Sequence, residues 1–234
     1  MELFLELRYD VFDTATFSCA EGFVKPQREI YEIAARKLGL RREQCVLIDN
    51  PGPGLMSYCA KVLGVAVEDY TRAHNRCGEP FQKGSIPEDV FWRRVCEDLG
   101  CLTPTRLSLW GEAFRAVYSP RAEVFDLARR LRQQGCKTSL LSNTEAPAMA
   151  FFLELRYDAF DAATFSCGEG VVKPQREIYE IAARKLGLAP AQCVFIDDKP
   201  EFVEGARKAR MKGIVYEDSS QVIKGLVQFG IRAR

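Results

Sequence analysis

Residues 193–216 read CVFIDDKPEFVEGARKARMKGIVY, and this stretch decides the fold class. An apolar run, Cys193–Ile196, stops at two adjacent carboxylates, Asp197 and Asp198. Glu201–Ala209 has the spacing of an amphipathic helix, and Gly213–Tyr216 is apolar again. Strands alternating with helices imply βαβ units and a parallel sheet. Function in such sheets gathers at the carboxyl ends of the strands, which is where Asp197 and Asp198 stand.

Upstream the alternation continues. Helix Arg121–Gln134 is followed by strand Thr138–Leu141, helix Pro147–Leu155, strand Ala163–Ser166 and helix Pro174–Leu186. Downstream a final helix is expected near Gln221–Phe229. Before Ser119-Pro120 the pattern differs. Gly54–Gly64, Val67–Arg76, Pro87–Leu99 and Thr103–Tyr118 all read as helices, the third opened by Ser85-x-Pro87-Glu88. Residues 56–118 therefore read as an all-helical insert.

The first residues hold a second copy of part of the core. Residues 4–50 (FLELRYDVFDTATFSCAEGFVKPQREIYEIAARKLGLRREQCVLIDN) repeat residues 152–198 (FLELRYDAFDAATFSCGEGVVKPQREIYEIAARKLGLAPAQCVFIDD) in constant register. Two copies so far apart do not make a solenoid. Either the first copy is a tandem duplication of a fragment, or it replaces a missing element of the core.

Composition excludes some classes of function. The hydrophobic and charged fractions, 47% and 28%, are those of a globular chain. Net charge is +1 with the two signs interleaved, which argues against a nucleic-acid or anionic-membrane surface. No apolar run suits a signal peptide or a membrane span, so a cytoplasmic location is expected. Nine cysteines without a C-x-x-C pair read as small buried hydrophobes in a reducing compartment. The lone histidine, His74, disfavours triads and multi-histidine metal sites, and is expected on a polar helix face.

Three clusters carry chemistry. Ser142-Asn143-Thr144 directly follows the strand TSLL, where a hydroxyl and helix-start N–H groups can grip a phosphate oxygen. Lys173-Pro174 places an ammonium before a helix, suited to neutralising phosphate charge. Asp197-Asp198 ends a strand with two hard oxygen donors, the kind Mg²⁺ prefers. Taken singly these are an N-cap, a solvated charge and a loop cap. In this order, each at a strand end or helix start, they form a specific signal.

The order LLSNT, VVKPQREIY, VFIDDKPEFVEGARKARMKGIVY resembles the second to fourth motifs of the haloacid dehalogenase-like hydrolases. The insert, notably GEPFQKGSIPEDVFWRRV, resembles the small helical cap of the subgroup that includes sugar-phosphate phosphatases. The resemblance implies an α/β fold, a Rossmann-like parallel sheet with an inserted all-helical cap. Here that fold would also carry an N-terminal duplicated α/β segment, dividing the chain at 1–55, 56–118 and 119–234. It implies that Ser142, with Asn143, binds the transferring phosphoryl group and that Lys173 steadies phosphate and nucleophile. Asp197 and Asp198 would hold Mg²⁺. Phe202 stands where the family commonly has asparagine.

That family's reaction begins with an aspartate in a D-x-D context at the end of the first strand, and no D-x-D occurs here. Three readings stay open. Asp49, in the stretch CVLIDNPGPGL, could end a replacement first strand and serve as nucleophile and metal ligand, with Pro51 where an acid–base aspartate belongs. Alternatively this stretch follows a lost first motif, and the chain is catalytically dead. The third candidate, Phe12-Asp13-Thr14-Ala15-Thr16, has a twin at Phe160–Thr164 that is ordinary scaffold. The preferred expectation is a Mg²⁺-dependent phosphatase of a small phosphorylated metabolite, monomeric or homodimeric. Its rivals are a dehalogenase and a non-catalytic binding protein.

Overall fold

A computed structural model describes residues 44–47 and 54–231; Cys45–Arg234 is one compact unit, and Gln44 starts its first strand. Five strands form one sheet: β1 (Gln44–Leu47), β2 (Thr138–Ser142), β3 (Ala162–Phe165), β4 (Cys193–Asp197) and β5 (Lys212–Val215), in the spatial order β3-β2-β1-β4-β5. β1 pairs parallel with β2 (Leu47 opposite Leu140), β2 with β3 (Ser142 opposite Phe165) and β4 with β5 (Asp197 opposite Val215). β1 thus lies in the middle of the sheet, between β2 and β4. Its sequence QCVL is the counterpart of QCVF at residues 192–195, which runs into β4. A strand from the first copy therefore stands beside its own twin.

Why these runs make strands is visible in their burial. β2 and β4 are buried at every position, as expected where helices cover both faces of a parallel sheet. Successive side chains alternate between the faces. Val194 and Ile196 enter a core with Phe125, Leu131, Val222 and Leu226. Cys193 and Phe195 enter another with Ile178, Tyr179 and Val203. The covering helices are α5 (Ala122–Gln133), α6 (Ala146–Leu155), α7 (Ser166–Glu169), α8 (Arg176–Lys185), α9 (Pro200–Lys208) and α10 (Ser219–Gln228).

Between β1 and α5 run four consecutive helices, α1 (Gly54–Leu63), α2 (Val67–Gln82), α3 (Glu88–Leu99) and α4 (Leu109–Val117). Two differ from the sequence expectation. α2 continues past Arg76 to Gln82, through Gly78 and Pro80, because the buried ring of Phe81 fastens its last turn. α4 begins at Leu109 rather than near Thr103, because the Ser108 side chain accepts the Gly111 N–H and caps it there. His74 is also corrected. It is buried rather than on a polar face, stacked on Trp110 at 5.3 Å between ring centroids and edge-on to Phe91. Burial holds its imidazole below the ordinary value, in the neutral form that can stack.

The cysteines of the described residues are free thiols, and burial pushes those of Cys59 and Cys193 up to about 12. No helix of the described residues is long and apolar enough to cross a membrane.

Candidate active site

The carboxyl ends of β2 and β4 flank the central strand, and the Lys173 side chain reaches both of them. β2 ends on Ser142, which is buried. Asn143 follows and grips the backbone of Lys173 from both sides. The Lys173 N–H donates to Asn143 Oδ1 at 2.8 Å, and Asn143 Nδ2 donates to the Lys173 carbonyl at 3.0 Å. The Lys173 side chain then turns inward. Its Nζ donates to Asp197 Oδ2 at 2.9 Å and to the carbonyl of Leu141, the residue before Ser142, at 3.3 Å.

Asp197, at the end of β4, has its second oxygen engaged as well, since Oδ1 accepts the Lys199 N–H at 2.9 Å. Burial pushes the Lys173 ammonium down from its ordinary value and the Asp197 carboxyl up. Their mutual contact opposes both shifts, and the neighbouring Asp198 adds to the upward push on Asp197. Asp198 is more open and lies 3.6 Å from Arg121, at the start of α5. Phe202 roofs the pair: its ring centroid is 4.8 Å from Lys173 Nζ and 5.0 Å from Lys199 Nζ.

Close backbone approach makes this geometry reachable. Lys173 and Pro174 are joined by a cis peptide bond, and α9 packs on that turn at Gly205. A Cβ there would sit 2.7 Å from Pro174 Cβ and 2.9 Å from the Pro174 carbonyl oxygen. Only glycine lets the helix lie so near the lysine turn.

Ser142, Asn143, Lys173, Asp197 and Asp198 are thus gathered at one rim of the sheet. Asp49 lies outside the described residues, two positions beyond the end of β1. Among the described residues no three acidic, histidine or cysteine side chains group as a metal cage; Asp197 and Asp198 supply two carboxylates. The sequence reading missed Glu145, Ser166, Arg121 and Trp110. Only Glu145 had a local signal, an acid at the mouth of a helix that opens Ala146-Pro147.

The haloacid dehalogenase-like hydrolase family matches residues 55–210, well over half of the chain. The chain belongs to this family. The fold is also similar to that of solved haloacid dehalogenase-like structures. A family enzyme of Bacteroides thetaiotaomicron aligns over 78% of this chain and 98% of its own, with a TM-score of 0.63 and 19% identity. That enzyme has also been solved in complex with magnesium and inorganic phosphate. A Porphyromonas gingivalis relative covers 80% and 98% at a TM-score of 0.64 and 20% identity. At such identities the likeness is one of fold.

Among relatives in sequence, a sesquiterpene phosphatase of Aspergillus oryzae is 29% identical over 60% of this chain and 72% of its own. Flavin mononucleotide hydrolase 1 of Arabidopsis thaliana is 37% identical over 64% of this chain and 61% of its own.

Proposed function

We propose that this chain is a Mg²⁺-dependent phosphomonoester hydrolase that acts on a small phosphorylated metabolite through an aspartyl-phosphate intermediate. The observation that carries the reading is the meeting of the Ser142–Asn143 turn, the Lys173 ammonium and the Asp197 carboxylate at one strand-end rim. Relatives named as a phosphatase and a flavin mononucleotide hydrolase support the reaction class.

The residues fit a hard cation. Each Asp197 oxygen is engaged by one donor and keeps further lone pairs. Mg²⁺ is commonly held by one or two carboxylates, with water and phosphate oxygens completing the shell. Asp197 and Asp198 would hold it, with Asp49 as a third donor. When bound, the cation neutralises charge on the phosphoryl oxygens.

The remaining chemistry belongs to the chain. An Asp49 carboxylate oxygen bonds to phosphorus while the ester P–O bond breaks. Water then cleaves the acyl phosphate, releasing phosphate and restoring the carboxylate. The Ser142 hydroxyl and the backbone after it hold the phosphoryl oxygens, and Lys173 balances their charge. In sequence Asp49 comes two residues after Leu47, the last residue of β1. Pro51 cannot protonate the leaving oxygen, so a water must, and turnover falls by roughly 10²–10⁴ against a chain with an acid there. The helical insert acts as a cap that selects substrate and excludes water.

The test is hydrolysis of p-nitrophenyl phosphate with Mg²⁺, abolished by EDTA and by Asp49→Asn. Activity that survives Asp49→Asn removes that residue from the mechanism. One observation favours a second reading, a non-catalytic phosphate-binding protein: the family match begins at residue 55, after Asp49. Phosphate binding without turnover in the unmutated chain would select it.

A further inference from the structure

Two buried ties join the helical insert to the turn that follows β2. In the first, Trp110 Nε1 of α4 donates to Glu145 Oε2 at 2.8 Å. Glu145 is 4% exposed and is the N-cap residue of α6. In the second, the Ser166 hydroxyl donates to the Gln82 carbonyl at the end of α2 at 2.6 Å and accepts the Thr144 N–H at 2.9 Å. The insert backbone presses close here, since a Cβ on Gly84 would fall 2.3 Å from the Cys167 carbonyl oxygen.

The insert end of the first tie is itself fixed. The Trp110 N–H donates to Glu88 Oε1 at 2.7 Å, and Glu88 also accepts from Trp92 Nε1 and from the Ser108 hydroxyl. Both ties therefore run from a rigid helical layer to Thr144 and Glu145, the residues directly after Ser142 and Asn143. On its other side the same turn is clamped by the two Asn143–Lys173 hydrogen bonds. The turn is held between the insert and the lysine.

We propose that Glu145 is a positioning residue that couples the helical insert to the phosphate-holding turn, so that the seat of the insert sets the orientation of Ser142 and Asn143. This rests on the reading of Ser142–Thr144 as the phosphate turn. Glu145 acts through its neighbours and does not touch substrate. The indole N–H and the carboxylate are both buried, so loss of either leaves the other without its partner, and the turn gains freedom at that end.

The experiment uses the full chain and inorganic phosphate with Mg²⁺ as probe. Phosphate affinity is measured by calorimetry, and amide exchange is followed in peptides covering residues 142–145. Trp110→Phe removes the donor and keeps an aromatic ring, though a smaller one, so the Glu145 variants below separate the lost hydrogen bond from lost packing. It is expected to weaken phosphate binding about tenfold, one buried hydrogen bond's worth, and to speed exchange at Thr144 and Glu145. Glu145→Leu should do the same, and the double variant should be no worse than either single, as for two partners in one interaction. Glu145→Gln keeps an acceptor oxygen and should restore both readouts. Unchanged affinity and exchange in a folded Trp110→Phe, or additive losses in the double variant, would overturn the coupling. If Glu145→Leu does not fold, Trp110→Phe and Glu145→Gln decide. A wild-type chain that binds no phosphate at all would instead count against the phosphatase reading, and the exchange measurement would still judge the coupling.

Discussion

Lys173 Nζ stands 2.9 Å from Asp197 Oδ2, and solvent reaches only 3% and 1% of the two side chains. Two opposite charges so enclosed depend on each other. Breaking a buried pair by removing one partner leaves an uncompensated charge, at a cost of about 3–5 kcal/mol. Lys173→Met is therefore expected to lower the unfolding free energy by that order, read from urea melts. Adding Asp197→Leu should regain most of the loss, since an apolar pair of similar volume needs no partner. Neither variant should bind phosphate. Recovery of stability without function would mark the pair as kept for chemistry rather than for folding.

Glu145 gives a pH signature of stability. Burial first, with Glu88 of α3 adding, lifts its carboxyl to about 7 from an ordinary value near 4.5, against hydrogen bonds from Trp110 of α4 and Gln82 of α2. A carboxyl raised on folding gives its full share of stability below the unfolded value and loses it as pH rises through the folded one. The window here runs from about 4.5 to about 7, and the loss is on the order of 3 kcal/mol. Glu145→Gln has no such proton to lose. Urea midpoints of wild type and variant across that window should diverge, with wild type falling more steeply as pH rises. Parallel curves would refute a raised Glu145.

Much of this was legible in the sequence, for a physical reason. A parallel sheet brings every strand's carboxyl end to one rim, so the order of Ser142, Lys173 and Asp197 along the chain, each at a strand end or helix start, was enough to expect them on the same rim, where Lys173 bonds Asp197 and the Leu141 carbonyl. The strand TSLL and the run CVFI also announced themselves, because fully buried strands are continuous apolar runs. The Trp110–Glu145 bond spans 35 residues and has no periodic trace. His74 has polar neighbours in sequence, and its burial comes from rings of α3 and α4 that local spacing does not encode. Asp49 was legible as a chain position beyond a central strand, while its carboxylate lies outside the described residues.

Arg121 should tune metal affinity. It lies 3.6 Å from Asp198, with 40% and 32% of the two side chains exposed, and exposed pairs of this kind contribute little to stability. Its positive charge nevertheless competes with a cation for the same carboxylate. Arg121→Gln is expected to leave the unfolding free energy within about 0.5 kcal/mol. It should tighten Mg²⁺ binding by roughly three- to tenfold at low ionic strength, an advantage that shrinks with salt. Calorimetric titration of Mg²⁺ into both proteins checks this. Weaker binding in the variant would mean that Arg121 orients Asp198 rather than competing for it.

Gly205 tests whether the lysine turn must sit where it does. A Cβ at this position would meet Pro174 Cβ at 2.7 Å, Tyr179 Oη at 2.8 Å and the Pro174 carbonyl oxygen at 2.9 Å. A proline ring and a backbone oxygen cannot swing aside, and Tyr179 Oη is already committed to the Phe202 carbonyl at 2.7 Å. α9 would therefore have to move off the Lys173–Pro174 turn. Gly205→Ala is expected to cost about 1–3 kcal/mol through overpacking and to weaken phosphate binding even at temperatures where the protein stays folded. Gly168→Ala is the matched control, because its nearest neighbour, Met149 Sδ, lies 3.8 Å away, and its effect should stay within about 0.5 kcal/mol. If Gly205→Ala lowers the melting temperature yet binds phosphate as wild type does, the position of α9 against that turn matters for packing alone.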